Sequence, residues 1–215
     1  MSGLTLYHCP RTRGFPVLWM MEEVGEPYAL RVINIRDDIQ SEACGAVNPM
    51  GKVPALEFEG DLITESAAIC AWLADRYPDR HLAPIIGARG RGRYLRWLFF
   101  AGSMIEPAFI DKAMSRDMPC LMTGWGDLAS VTANLEQALD GKEYLVGSDF
   151  TAADLMVGST LNLMMNSNLL ERTEPFSSYI ARLRDRPAFK RAMAREAELT
   201  RGLARQSIAV ARDRG

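Results

Sequence analysis

The sequence predicts an α/β unit followed by an all-helical one, and three observations carry that reading. Short alternating apolar runs between turn signals occur only in the first eighty residues. From Pro78 to Gly92 the composition shifts, with Pro78, Pro84, Gly87, Gly90 and Gly92 marking a linker. Beyond it, only long helical periodicities follow. The expected division is a domain over residues 1–80, a linker over 81–92 and a helical domain over 93–215.

Leu4 to His8 reads as a strand, which Pro10 cannot continue because proline lacks the ladder donor. A helix is expected to begin near Thr12, which leaves Pro16 in the tolerated first turn, and Gly25 is its stop. Tyr28 to Ile33 alternates as a second strand, parallel to the first in a βαβ unit. Asp37 to Val47 reads as a weak, partly helical connection. Ala55 to Glu59 and Leu62 to Thr64 form a hairpin about Gly60-Asp61, and Ser66 to Tyr77 is a helix with Ile69, Trp72, Leu73 and Tyr77 on one face.

The helical domain is expected to comprise Arg93 to Met114, Asp127 to Leu139, Ala152 to Asn166, Pro175 to Arg184 and Ala188 to Arg201. Within it Thr151 and Asp154 form a capping box, flanked by Phe150 and Leu155 as a hydrophobic staple. That cap has a structural role worth about 1 kcal/mol.

Composition excludes several function classes. Among 215 residues, 48% are apolar and 24% charged, and the net charge is -2, so no strong field recruits nucleic acid or a membrane surface. Acids outnumber bases in the first eighty residues, and bases outnumber acids afterwards. Cys9, Cys44, Cys70 and Cys120 form no C-x-x-C pair, and with His8 and His81 they give no metal-ligand spacing. No secretory signal is visible, and the longest apolar tract, Trp97 to Ile110, is too short to span a bilayer. A cytoplasmic protein is expected.

One stretch organises the rest. Asn48-Pro49-Met50-Gly51-Lys52-Val53-Pro54-Ala55-Leu56 leads into the hairpin, and Glu65-Ser66 opens the helix after it. A loop, a hairpin and a helix N-terminus thus meet at one edge. Backbone donors beside Val53 and the positive helix end at Ser66 suit a small extended peptide bearing a carboxylate.

That stretch, with Glu65-Ser66-Ala67-Ala68-Ile69 and Phe150-Thr151-Ala152-Ala153-Asp154, resembles the glutathione S-transferase superfamily. The opening Leu6-Tyr7-His8-Cys9-Pro10-Arg11-Thr12-Arg13, with Trp19 and Glu22-Glu23, looks like bacterial, theta-, beta- or nu-like members. The resemblance implies a thioredoxin-like βαβαββα domain with Pro54 in the cis position, followed by an all-helical domain. It implies glutathione as co-substrate, its cysteinyl backbone against Val53 with Lys52 alongside, and its γ-glutamyl group at Glu65 and Ser66. Thr12 falls where related enzymes place a catalytic serine or cysteine. Its hydroxyl, or the cations of Arg13 or Arg11, would favour the glutathione thiolate. Cys9 is a minor candidate for mixed-disulfide chemistry.

The second substrate, an apolar electrophile, is expected against Trp97, Phe99, Phe100, Met104, Ile105, Phe109 and Met114 of the helical domain, with Glu106 either solvent-facing or aimed at the ligand. The resemblance further implies a homodimer and a role in detoxification. Two alternatives stay open: a glutathione-dependent peroxidase or disulfide reductase, and a non-catalytic ligand-binding or scaffold protein on the same fold.

Overall fold

The computed structural model describes residues 3–35, 45, 47–119 and 121–213, and side chains as far as residue 205. Most of the connection expected at Asp37 to Val47, together with Cys44 and Cys120, lies outside these residues. Contacts group the chain into two compact units. One holds the residues up to Trp72 together with those from Pro187 onward; the other runs Leu73–Arg186.

The first unit is built on a four-stranded mixed sheet of order β2-β1-β3-β4. β1 (Leu4–His8) pairs in parallel with β2 (Ala29–Val32), Leu6 lying opposite Leu30. On its other side β1 pairs antiparallel with β3 (Ala55–Phe58), which turns back into β4 (Asp61–Thr64). Alternation fixes the faces: Leu4, Leu6 and His8 point into the core.

α1 (Phe15–Val24) starts three residues later than the sequence predicts, with Pro16 in its first turn. It ends on Gly25, whose φ of 73° lets its N–H return to the Met21 carbonyl at 2.9 Å. Val17, Leu18, Trp19, Met20, Met21 and Val24 are all buried, so the helix is apolar nearly all round. The last helix covers one of its sides. Phe189 meets Trp19 edge-on at 5.0 Å and Phe15 at 5.7 Å. The sequence reading assigned these last residues to the helical domain; by contacts they join the first unit. α2 (Ser66–Arg76) follows the hairpin.

The second unit is helical. α3 (Arg91–Phe100) and α4 (Glu106–Ala113) are the halves of the long helix expected over Arg93 to Met114, joined by a π-helical turn at Ala101–Ile105. Pro107 has no N–H to give the Ser103 carbonyl, which loosens the ladder where the wide turn forms. α5 (Leu128–Leu139) is capped by Asp127, which accepts the Ser130 N–H at 2.7 Å. α6 (Ala152–Asn166) is the most buried helix of this unit, and α7 (Phe176–Asp185) packs on it. Gly158 makes that approach close: a Cβ there would lie 2.1 Å from Leu183 Cδ1. α8 (Pro187–Asp213) belongs to the first unit and is longer than the Ala188 to Arg201 expected.

At the start of α6 the expected capping box is present. The Thr151 N–H and hydroxyl both donate to Asp154 Oδ2 at 2.9 Å. Asp154 Oδ1 accepts the Leu145 N–H at 2.8 Å and the Tyr179 hydroxyl at 3.0 Å.

Of the apolar surface expected for a second substrate, Trp97, Ile105 and Phe109 are core. Phe99 and Met114 are exposed, and Phe100, Met104 and Glu106 are half-buried. No helix among the described residues is long and apolar enough to cross a membrane.

Candidate active site

Strand register brings three strand ends together. Tyr7 pairs with Ala55 and Ala55 with Thr64, so the residues after β1, before β3 and after β4 emerge at the same end of the sheet. Those residues are the turn into α1, the Val53–Pro54 step and Glu65.

The turn into α1 is held by Thr12. Its hydroxyl donates to the Cys9 carbonyl at 2.6 Å and accepts the Gly14 N–H at 3.1 Å. Its carbonyl accepts the Phe15 N–H at 3.3 Å. These bonds organise a turn ahead of the helix, which is why α1 begins at Phe15 rather than Thr12. The Thr12 hydrogen is committed to the backbone and reaches a ligand only after the hydroxyl rotates. Arg13 is exposed. Arg11 is exposed with a φ of 61°, in the left-handed region that non-glycine residues rarely occupy. Cys9 is fully buried, as a small hydrophobe at a strand end.

The Val53–Pro54 bond is cis. Asn48 braces the loop before it: its Nδ2 donates to the Lys52 carbonyl at 3.0 Å and its Oδ1 accepts the Met50 N–H at 3.0 Å. Gly51 supplies the left-handed step there, with φ 62° and its N–H on the Asn48 carbonyl at 2.8 Å. Lys52 is exposed, whereas Val53 and Pro54 are buried.

Glu65 is exposed and also left-handed, with φ 70°, and its carbonyl receives the Ile69 N–H at 2.9 Å in the first turn of α2. Ser66 opens that helix and donates to the Arg13 carbonyl at 3.3 Å. One hydrogen bond therefore ties the start of α2 to the turn that precedes α1. Two helix N-termini, each favourable to negative charge, border the same strand ends. Arg11 and Glu65, two strained residues, border them as well, and such strain concentrates at functional sites.

Other titratable groups of this unit make poor nucleophiles. A hydrogen bond to Glu57, at 2.7 Å, holds the Tyr7 hydroxyl above its usual range. Burial pushes the Cys70 thiol far up. Tyr28 is raised by burial and then by Glu22, to which it donates at 3.0 Å. Among the described residues no group of three His, Cys, Asp or Glu could hold a metal ion.

Sequence reasoning missed two residues here. His8 is fully buried, and its Nε2 lies 2.8 Å from Glu196 Oε2 on α8. Glu196 Oε1 accepts the Arg11 N–H at 2.6 Å. A signal for each was available. His8 sits in the inward phase of β1, and Glu196 sits on the stripe Phe189, Ala192, Leu199, Leu203 of α8. A polar residue in an apolar phase calls for a partner.

Comparison with known proteins agrees with this architecture. The glutathione S-transferase N-terminal domain profile matches residues 8–76, and the C-terminal domain profile matches residues 126–196. The chain is 30% identical over 155 residues to glutathione S-transferase GstA of Escherichia coli O157:H7, covering 70% of this chain and 77% of that protein. It is 32% identical over 145 residues to bovine (Bos taurus) glutathione S-transferase theta-1, covering 60% of each. A glutathione transferase from Methylococcus capsulatus superposes with a TM-score of 0.77 at 25% identity, covering 90% of this chain and 98% of that one. A sphingomonad glutathione S-transferase solved with glutathione gives 0.75 at 26% identity, with the same coverage. A thioredoxin-like sheet domain, a helical domain and these likenesses agree: the chain belongs to the glutathione S-transferase superfamily.

Proposed function

We propose that this protein is a glutathione transferase, with glutathione as co-substrate. The observation that carries the reading is the Ser66–Arg13 hydrogen bond, which sets the N-terminus of α2 beside the turn into α1. The γ-glutamyl carboxylate would take the N–H groups and hydroxyl at Ser66, and Glu65 would meet the ligand's ammonium. The cysteinyl backbone would pair with Val53 beside Pro54, as an added strand does, with Lys52 alongside. That placement directs the sulfur to the turn of Thr12 and Arg13.

There the positive end of α1 and the Arg13 cation favour the thiolate. The Thr12 hydroxyl joins them once it leaves the Cys9 carbonyl. The thiol proton passes to solvent, and the sulfur's electron pair forms a bond to the electrophilic carbon as the leaving group departs with its own pair. Rate gain comes from thiolate population and from proximity. Cytoplasmic location, homodimerisation and a role in detoxification belong to the same proposal.

Calorimetric titration of reduced glutathione into the wild type and Ser66→Ala tests the reading. Loss of a hydrogen bond to a charged group should weaken binding by about 1–3 kcal/mol. A folded wild type that binds no glutathione would overturn the proposal and leave a scaffold on the same fold. Turnover of disulfides in preference to an activated aryl halide would favour the reductase instead.

A further inference from the structure

The turn into α1 is not held by its own sequence alone. Glu196 reaches it from α8 with both carboxylate oxygens: one binds the His8 ring, and the other accepts the Arg11 N–H. The Glu196 side chain is only 12% exposed and that of His8 not at all. The bond to the His8 ring therefore lies in a medium that strengthens it, while the bond to Arg11 lies at the exposed edge of the turn.

Three further observations place this clamp beneath the site. Arg11 is the left-handed residue of the turn, and its N–H is the one Glu196 holds. A backbone in that region persists only where its surroundings impose it. The His8 ring lies directly under the turn: a Cβ on Gly14 would fall 2.6 Å from His8 Nδ1 and 3.2 Å from Thr12 Oγ1. That Nδ1 has no hydrogen-bond partner among the described residues, so Glu196 alone fixes the ring by hydrogen bonding.

The seam between α1 and α8 also has bonds of its own, away from the turn. Arg191 pairs with Glu22 at 3.0 Å and donates to the Glu22 carbonyl at 2.7 Å. The Arg195 guanidinium stands 5.3 Å over the Tyr28 ring, and Phe189 packs on Trp19. Docking of α8 and grip on the turn are thus separable.

We propose that Glu196 is a positioning residue. Through the His8 ring and the Arg11 amide it sets the turn Arg11–Thr12–Arg13 in the conformation that receives the glutathione sulfur. This rests on the transferase reading above. The carboxylate touches no substrate. Its effect is geometric, and a displacement of about 1 Å at a reacting group costs on the order of 100-fold in rate.

The experiment compares wild type, Glu196→Ala, Glu196→Gln and Arg191→Ala in the full chain. It reads kcat and KM with an activated aryl halide, and the pH midpoint of glutathione thiolate absorbance in the complex. Glu196→Ala should lose about 10- to 100-fold in kcat with a smaller change in glutathione KM, and its thiolate midpoint should rise. Glu196→Gln keeps an oxygen to accept the Arg11 N–H, and its amide N–H bonds His8 Nε2 once the ring proton moves to Nδ1, so it should recover part of kcat. Arg191→Ala should lose thermal stability with kcat unchanged.

An unchanged kcat and midpoint in Glu196→Ala, or an equal kcat loss in Arg191→Ala, would overturn the inference. Should Glu196→Ala fail to fold, Glu196→Asp carries the test. Its carboxylate is one methylene too short to span both partners, and an unshifted midpoint there overturns the inference equally. Failure of the wild type to bind glutathione is a separate result, and it sinks the transferase reading instead.

Discussion

Asp154 and Glu196 are both carboxylates that bind two chain segments at once, one in each unit, yet they are built differently. Asp154 is fully buried and takes four donors, so each oxygen holds two bonds. Three of those bonds come from residues within nine positions of it. Glu196 keeps some exposure, and its two partners lie 185 and 188 residues away. Its ring partner, His8, keeps a buried nitrogen with no hydrogen-bond partner among the described residues. A network whose members are all satisfied fixes a core. One that leaves a buried atom unsatisfied beside strained backbone marks a place where the fold gives up stability for function.

The comparison predicts its largest effect at Asp154. Asp154→Ala should cost about 3–5 kcal/mol, because buried donors on Leu145, Thr151 and Tyr179 lose their acceptor together. Glutathione affinity of the folded fraction should stay unchanged. Reduced affinity without loss of melting temperature would invert the two roles.

The pH dependence sharpens this. Burial, the strongest influence, pushes the Asp154 carboxyl above its ordinary value of 3.8, against the pull of the Leu145 and Thr151 N–H groups and the two hydroxyls. Between 3.8 and the raised value the folded chain binds more protons than the unfolded one, so this group's contribution falls as pH rises. The gap in melting temperature between wild type and Asp154→Asn should accordingly be widest in acid and narrow upward. A gap that widens with pH would mean that the four donors outweigh burial.

Two glycines offer a matched pair of smaller perturbations. In Gly158→Ala the new methyl meets Leu183 Cδ1 at 2.1 Å, and overpacking should cost about 1–3 kcal/mol with glutathione affinity intact. In Gly14→Ala it meets His8 Nδ1 at 2.6 Å, and glutathione affinity should fall along with stability. Equal affinities in the two variants would break the distinction between core and site. The smallest effect is expected for Thr151→Ala, about 1 kcal/mol in stability with chemistry preserved.

What the sequence disclosed follows the reach of each interaction. The Thr151–Asp154 box spans three residues, and α6 begins and ends where its pattern predicts, at Ala152 and Asn166. The β3–β4 hairpin and the stop at Gly25 were legible for the same local reasons. Thr12 was read as a helix start because a hydroxyl before an apolar run signals one; its oxygens close a preceding turn instead. The π turn at Ala101–Ile105 interrupts a periodicity that reads as continuous. Within the candidate site, the meeting of the Val53–Pro54 loop, the hairpin and the helix opened by Ser66 at one edge was legible from their adjacency in sequence, whereas the Ser66 bond to the turn into α1 was not. Nor was the Glu196 clamp, since no local pattern pairs residue 8 with residue 196.

Because α8 is the layer over Phe15 and Trp19, the sheet unit is discontinuous in the chain. Domains generally fold as units during synthesis, amino-terminal first. Here the sheet and α1 must wait through more than a hundred further residues for the segment that covers them. Their native contacts are among the most distant in the chain, which slows folding through loop-closure entropy. An exposed apolar helix face during that interval is a natural target for chaperones. The turn that would carry the thiol chemistry is then among the last parts of the molecule to take shape.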